Sequence, residues 1–286
     1  MHYEFLKGHG TENDFVILPD HDTAVHGELD AARVRALCDR RAGIGGDGVL
    51  RVVRTEAYAA ARDHVDPAEA TWFMDYRNAD GSVSEMCGNG VRVFARHLVE
   101  AGLVDAGAPI PVGTRDGIKT VTVDGDAVTV DMGVARVLGG TVVSVGAHTW
   151  PALHVDMGNP HAVARVESLD PAGPVGSLLE SPAYDPEVYP HGVNVEFVVP
   201  RGPHHVEMRV HERGSGETRS CGTGACAVMV ATAIHEHHGT IGSPPAADAT
   251  YRVDVPGGSL SITWTTEGRV LLTGPAVLVA RGTTAL

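Results

Sequence analysis

Two short stretches of this chain join a nucleophilic sulfur to glycines in a pattern suited to proton transfer. They are Met86-Cys87-Gly88-Asn89-Gly90 and Ser220-Cys221-Gly222-Thr223-Gly224. Each Cys-Gly-x-Gly runs into an apolar-periodic segment that reads as a helix, with Val91, Phe94 and Leu98 in one and Ala225, Val228, Met229 and Thr232 in the other. The first turn of a helix leaves N–H groups without partners and carries a positive partial charge. A thiol placed there ionises more readily, with values falling to roughly 3.5–7.5 in electropositive sites. The glycines let a carboxylate or phosphate approach the same N–H groups. Two such sites on opposite faces of one carbon could invert it: a thiolate removes the α-proton and a thiol returns one from the other side.

The elements that must position these sulfurs look duplicated. The cysteines lie 134 residues apart, and upstream Asn13 in Asn-Asp-Phe-Val and Asn159 in Gly-Asn-Pro-His lie 146 apart. Two ordered matches at similar offset are the mark of an internal repeat. They predict two pseudo-symmetric domains, each presenting one cysteine at a helix N-terminus across a common cleft. The 286 residues fit two domains at roughly 150 each. Short β-patterned runs far outnumber helices, which are expected at Asp30–Arg41, Gly90–Ala101 and Gly224–His237. That balance predicts an α+β fold, with a sheet or barrel wrapped around a long central helix in each domain. Residues 171–190, with five prolines, read as loop. The alanine-rich 57–70 reads as a loop or a short inserted helix, and the change of β pattern across 131–143 marks a domain boundary.

Composition excludes several functions. Hydrophobic residues make up 43% and charged residues 20% of the chain, the profile of a globular protein rather than a disordered one. The net charge of −14 repels phosphate backbones, so nucleic acid is not an expected partner. No apolar run approaches the ~18–20 residues of a membrane span, and the first residues show no secretion signal. Only Lys7 and Lys119 are lysine, which argues against a pyridoxal Schiff base and for a reaction without cofactor. Carbanion stabilisation then falls to the two helix N-termini. Cys38 and Cys226 read as buried apolar residues. The four cysteines form no zinc-binding spacing, and His235, His237 and His238 suit a helix-end cap better than a metal site.

HGTENDFVIL, GIGGDGV, MDYRNADGSVSEMCGNG, MGNPHAV, GVNVEFV and HERGSGETRSCGTGACA together resemble, in order and across nearly the whole chain, the signature segments of the diaminopimelate epimerase family. The resemblance implies a cofactor-independent, two-cysteine isomerase of LL- and meso-diaminopimelate in bacterial lysine and peptidoglycan precursor synthesis, cytoplasmic and homodimeric. It implies an N-terminal domain of residues 1–131, joined by a returning strand at about 275–286, and a C-terminal domain of 132–274. Cys221 would deprotonate the LL isomer and Cys87 reprotonate it. His161 and Glu212 would tune the thiols. Substrate contacts would come from Asn13, Asn78, Asn159 and Asn194, from the Glu212–Arg213 pair, and from two carboxylate cradles, Gly88–Asn89 and Gly222–Thr223. Asp14, Asp47 and Glu85 carry no signal that separates a role from a structural cap.

The chain departs from the family pattern at two places. Glu12 stands where many members have glycine, and Gly48 where some carry glutamine. A proline or hydroxyproline racemase is the nearest alternative, but such enzymes show histidine where Asn89 stands. A reversible disulfide switch between Cys87 and Cys221 would leave the asparagines and Arg213 without purpose.

Overall fold

A computed structural model describes residues 2–237 and 239–286, so His238 of the histidine trio lies outside the described residues. The chain forms two compact units, Met1–Val130 with Gly274–Leu286, and Asp131–Thr273. The first contains β1 (Tyr3–Gly10), β2 (Asn13–Pro19), α1 (Ala31–Cys38), β3 (Gly48–Arg54), β4 (Trp72–Asn78), α2 (Gly88–Glu100), β5 (Ile110–Thr114) and β6 (Gly117–Asp124). The chain leaves it within β7 (Ala127–Val134). The second holds β8 (Arg136–Val145), β9 (His148–Asp156), β10 (Pro160–Arg165), β11 (Ala183–Tyr184), β12 (Asn194–Gly202), β13 (His205–Glu212), β14 (Gly216–Thr218), α3 (Gly222–His235), β15 (Ala249–Val255) and β16 (Gly258–Trp264). The chain returns through β17 (Arg269–Pro275) and ends with β18 (Val277–Thr284).

Strand pairing repeats between the units. Along β18-β1-β2-β3-β4-β5-β6-β7 the pairs are antiparallel, antiparallel, parallel, antiparallel, parallel, antiparallel and antiparallel. Along β8-β9-β10-β12-β13-β15-β16-β17 the same series recurs pair for pair. The short β11 and β14 are additions on β8 and β13. Each sheet wraps its own helix: α2 packs against β1 to β6 and β18, and α3 against β9, β10, β12, β13, β15 and β16. The enclosure follows from composition, since α3 reads Ala-Cys-Ala-Val-Met-Val-Ala-Thr-Ala over residues 225–233, all buried, and a helix apolar on every side belongs in a core.

Helix ends differ from the sequence reading for local reasons. Asp30 caps α1 by accepting the Arg33 N–H at 2.8 Å. The helix stops at Cys38 rather than Arg41 because the Asp39 side chain accepts the N–H groups of Arg41 and Ala42 at 2.7 and 2.8 Å. Both α2 and α3 begin two residues earlier than expected, because each cysteine is itself the N-cap. α3 ends at His235, and His237 beyond it takes a positive φ of 64°. The 57–70 segment contributes a short 3₁₀ turn at Ala59–Asp63, just after another at Thr55–Ala57.

The first unit also buries an ionic triad. Arg51, fully buried, bonds Asp20 at 2.6 and 2.8 Å and lies 3.7 Å from Asp75. Asp75 in turn binds Arg77 at 2.9 Å and Arg115 at 2.5 Å. Among the described residues no helix is long and apolar enough to cross a membrane.

Candidate active site

In the first unit Cys87 is extended (φ −142°, ψ 119°), the conformation of an N-cap, and its Sγ accepts the Gly90 N–H at 3.4 Å. The strand ends bring two asparagines to it. Asn13, first residue of β2, places Oδ1 3.6 Å from Cys87 Sγ and accepts Asn89 Nδ2 at 3.2 Å. Asn13 Nδ2 donates to Asp47 at 2.8 Å. Asn78, last residue of β4, is turned to its own hairpin, donating from Nδ2 to Ser82 Oγ at 2.9 Å. Glu12 is exposed with a positive φ of 62°, and its N–H meets His9 Nδ1 at 3.3 Å. Position 48 admits no side chain, since a Cβ there would lie 2.5 Å from the Arg77 carbonyl.

The second unit repeats the cap. Cys221 (φ −119°, ψ 115°) accepts the Gly224 N–H at 3.4 Å, and Thr223 Oγ1 lies 3.5 Å from its sulfur. His161 and Glu196, both fully buried, meet at 2.6 Å through Nδ1 and Oε1, and His161 Nε2 lies 3.0 Å from Asn159 Oδ1. Asn194 Oδ1 accepts the Arg213 N–H at 2.9 Å, and the Arg213 guanidinium donates to the His191 carbonyl at 3.0 Å. Gly192 (φ 83°) is required beneath that guanidinium stem, because a Cβ would come within 2.8 Å of Arg213 Cδ. Glu212 Oε1 accepts the Thr218 hydroxyl.

The two sulfurs share a cap but not its backing. Register places Phe15 opposite Gly48 and His161 opposite Asn194, so Phe15 matches His161 and Leu50 matches Glu196. A Cβ on Gly90 would meet Leu50 Cδ2 at 3.2 Å and Phe15 Cζ at 3.6 Å, whereas one on Gly224 would meet Glu196 Oε1 at 2.8 Å and Cys221 Sγ at 3.3 Å. Cys87 therefore sits over hydrocarbon and Cys221 over the hydrogen-bonded His161–Glu196 couple.

That backing corrects the expectation of a lowered thiol value at Cys221. Burial pushes the Cys221 thiol well above its ordinary range, and the carboxylates of Glu212 and Glu196 push it further. The hydrogen bonds from Thr223 and Gly224 act the other way and are outweighed. Burial likewise raises Glu196, opposed by His161.

Glu196 escaped the sequence reading, and Asp47, which it left as structural, bonds Asn13. A lone acid within Val193-Asn194-Val195-Glu196-Phe197-Val198-Val199 was the available signal for the first, since a buried carboxylate in an apolar strand needs a partner. An apolar cavity of about 320 Å³ opens beside Ala231, Thr232, Ile234 and His235, at the end of α3 opposite Cys221. Among the described residues no group of three or more His, Cys, Asp or Glu side chains could hold a metal ion.

Comparison with known proteins agrees with this architecture. Solved structures of similar fold include a Bacillus anthracis phenazine biosynthesis protein of the PhzF family, with a TM-score of 0.69, 14% identity and full coverage of both chains. Another is a hydroxyproline epimerase from Agrobacterium vitis, with a TM-score of 0.65, 13% identity, and coverage of 100% of this chain and 93% of that one. Sequence relatives are far nearer. A diaminopimelate epimerase of Streptomyces coelicolor is 61% identical over 285 residues, covering 97% of this chain and 94% of its own. One from Thermobifida fusca is 49% identical, covering 97% and 96%. The family model described as diaminopimelate epimerase matches residues 5–138 and 153–279. With nearly the whole chain accounted for in this way, it belongs to the diaminopimelate epimerase family.

Proposed function

We propose that the protein interconverts LL- and meso-diaminopimelate by moving the α-proton between two cysteines, supplying a precursor of lysine and peptidoglycan. The observation that carries this reading is the repeated cap: a thiol accepting the third N–H of a glycine-opened helix, once in each unit. In the LL-to-meso direction Cys221, as thiolate, takes the α-proton, and the Cys87 thiol delivers its own to the other face. In reverse the two exchange roles. Negative charge developing on the substrate carboxylate is met by the N–H groups of Gly88–Asn89 and Gly222–Thr223, whose dipoles are fixed before the reaction begins. Asn13, Asn78, Asn159, Asn194, Glu212 and the Arg213 fork supply the remaining polar contacts. No step calls on a cofactor.

The raised Cys221 value bears on the mechanism. A deeply buried thiol is a strong base once ionised, and a strong base is what a weakly acidic α-proton needs. We assign to Glu196 and Glu212, with His161 bonded to Glu196, the setting of how readily it ionises. We assign the protein to the cytoplasm, where thiols stay reduced. We also assign it a homodimer, for which exposed Leu138 and Val142 on β8 offer apolar surface.

Purified protein incubated with LL-diaminopimelate in heavy water, without added cofactor, should incorporate deuterium at the α-carbon. Cys87→Ser and Cys221→Ser should each lower epimerisation by orders of magnitude while keeping the fold. Absence of exchange by folded wild-type protein would end this reading, and near-normal turnover by either variant would end the assignment of that cysteine.

A further inference from the structure

We propose that Asp47 is a positioning residue for the Cys87 half of the site, fixing which end of the Asn13 amide faces the thiol. The inference rests on the two-cysteine reading above. A carboxylate only accepts hydrogen bonds, whereas a side-chain amide has a donor end and an acceptor end. Asp47 Oδ2 lies 2.8 Å from the Asn13 amide, so Asn13 must turn its NH₂ to Asp47 and its oxygen the other way. That oxygen accepts from Asn89 at 3.2 Å and stands 3.6 Å from Cys87 Sγ. A thiol can donate to an amide oxygen, while a reversed amide would offer NH₂ and favour the thiolate instead. The lock therefore favours the proton-bearing form of Cys87, the form that delivers a proton in the LL-to-meso direction.

Asp47 is itself held firmly. Arg40 binds Asp47 Oδ1 at 2.7 Å and forks onto both oxygens of Asp14 at 2.6 and 3.0 Å. The Asp14 N–H donates to Asp47 Oδ2 at 3.1 Å, and the Asp47 N–H donates to the Asp14 carbonyl at 2.7 Å. Lys7 lies 2.5 Å from Asp14 and completes the network. In the second unit the matching Asn159 is oriented differently, through His161 on its oxygen. The two asparagines are thus contacted by different groups, a carboxylate on the amide nitrogen in one unit and an imidazole on the amide oxygen in the other. The Asp47 side chain is 43% exposed, so its removal opens no core cavity.

A double-mutant cycle on the full chain tests the proposal. Asp47→Ala should lower α-proton exchange roughly tenfold, the loss expected when one group beside the reacting thiol is no longer held. In an Asn13→Ala background the same change should alter the rate by less than about twofold, because the group through which Asp47 acts is gone. In protein labelled with ¹⁵N-asparagine, the Asn13 NH₂ pair, assigned by its disappearance in Asn13→Ala, should shift in Asp47→Ala. Equal losses in both backgrounds, or an unmoved Asn13 resonance in folded Asp47→Ala, would overturn the proposal. Failure of the epimerase reading would look different: wild type would exchange no deuterium while the Asn13 resonance still answered to Asp47.

Discussion

Gly224→Ala is a sharp probe of how closely Cys221 and its buried partners are fitted. The added methyl carbon would sit 2.8 Å from Glu196 Oε1 and 3.3 Å from Cys221 Sγ, so the carboxylate must retreat by about half an ångström to restore ordinary contact. It has little room, because it is fully buried and held to His161 at 2.6 Å. Overpacking of this kind costs about 1–3 kcal/mol, offset by up to ~1 kcal/mol from the better helix propensity of alanine. Stability should therefore fall by about 0–2 kcal/mol, a few degrees in Tm. Activity should suffer more, since displacing reacting groups by an ångström can cost about a hundredfold; half of that predicts a loss of roughly tenfold or more in kcat. Gly90→Ala is the matched control. Its methyl meets Leu50 Cδ2 at 3.2 Å, the movable end of an aliphatic side chain, and the loss should stay below about threefold. Deuterium exchange and thermal unfolding, measured on both variants, read the two effects separately. If Gly224→Ala kept its rate within about twofold of wild type, or Gly90→Ala lost more, the asymmetric backing of the two thiols would not govern the chemistry.

Other expectations follow from single groups. Cys221, raised in the folded chain, loses its proton first in the unfolded one, so stability should fall as pH rises past about 8.5, by up to ~1.4 kcal/mol per pH unit for that group. Cys38, pushed up to about 11, adds a similar slope, so urea unfolding from pH 8 to 10 should show a shallower decline in Cys221→Ser than in wild type, and identical slopes would refute the assignment. Asp20→Ala removes the 2.6 Å partner of fully buried Arg51 and should destabilise the protein by about 3–5 kcal/mol in urea titration; an unchanged midpoint would show that Asp75 alone suffices. Arg213→Ala keeps the backbone bond to Asn194 and loses only the guanidinium, so kcat/KM should drop by roughly tenfold or more with little change in Tm, and Arg213→Lys should recover only part. An unchanged kcat/KM would remove Arg213 from substrate recognition.

Much of this protein was readable from local pattern. The Cys-Gly-x-Gly openings marked both central helices, because capping and helix entry depend on a handful of adjacent residues. Alternating strands gave the fold class, and recurrence of motifs at similar offsets pointed to the duplication that strand pairing displays. Helix ends were misplaced by two or three residues where a side chain, such as Asp39, competed for the backbone.

The ionisation and orientation of the site groups were not legible in this way. Cys221 carries the same local signal as Cys87, yet it lies over Glu196 and His161, while Cys87 lies over Leu50 and Phe15. Asp47 reaches Asn13 across 34 residues of chain, and Glu196 reaches His161 across 35. The sequence alone determined that a helix follows each Cys-Gly-x-Gly, to within two residues of its start, since short-range sterics and hydrogen bonds set that feature. Only the tertiary structure decided what surrounds each sulfur, because desolvation and Coulomb forces act through space, on whatever folding brings near.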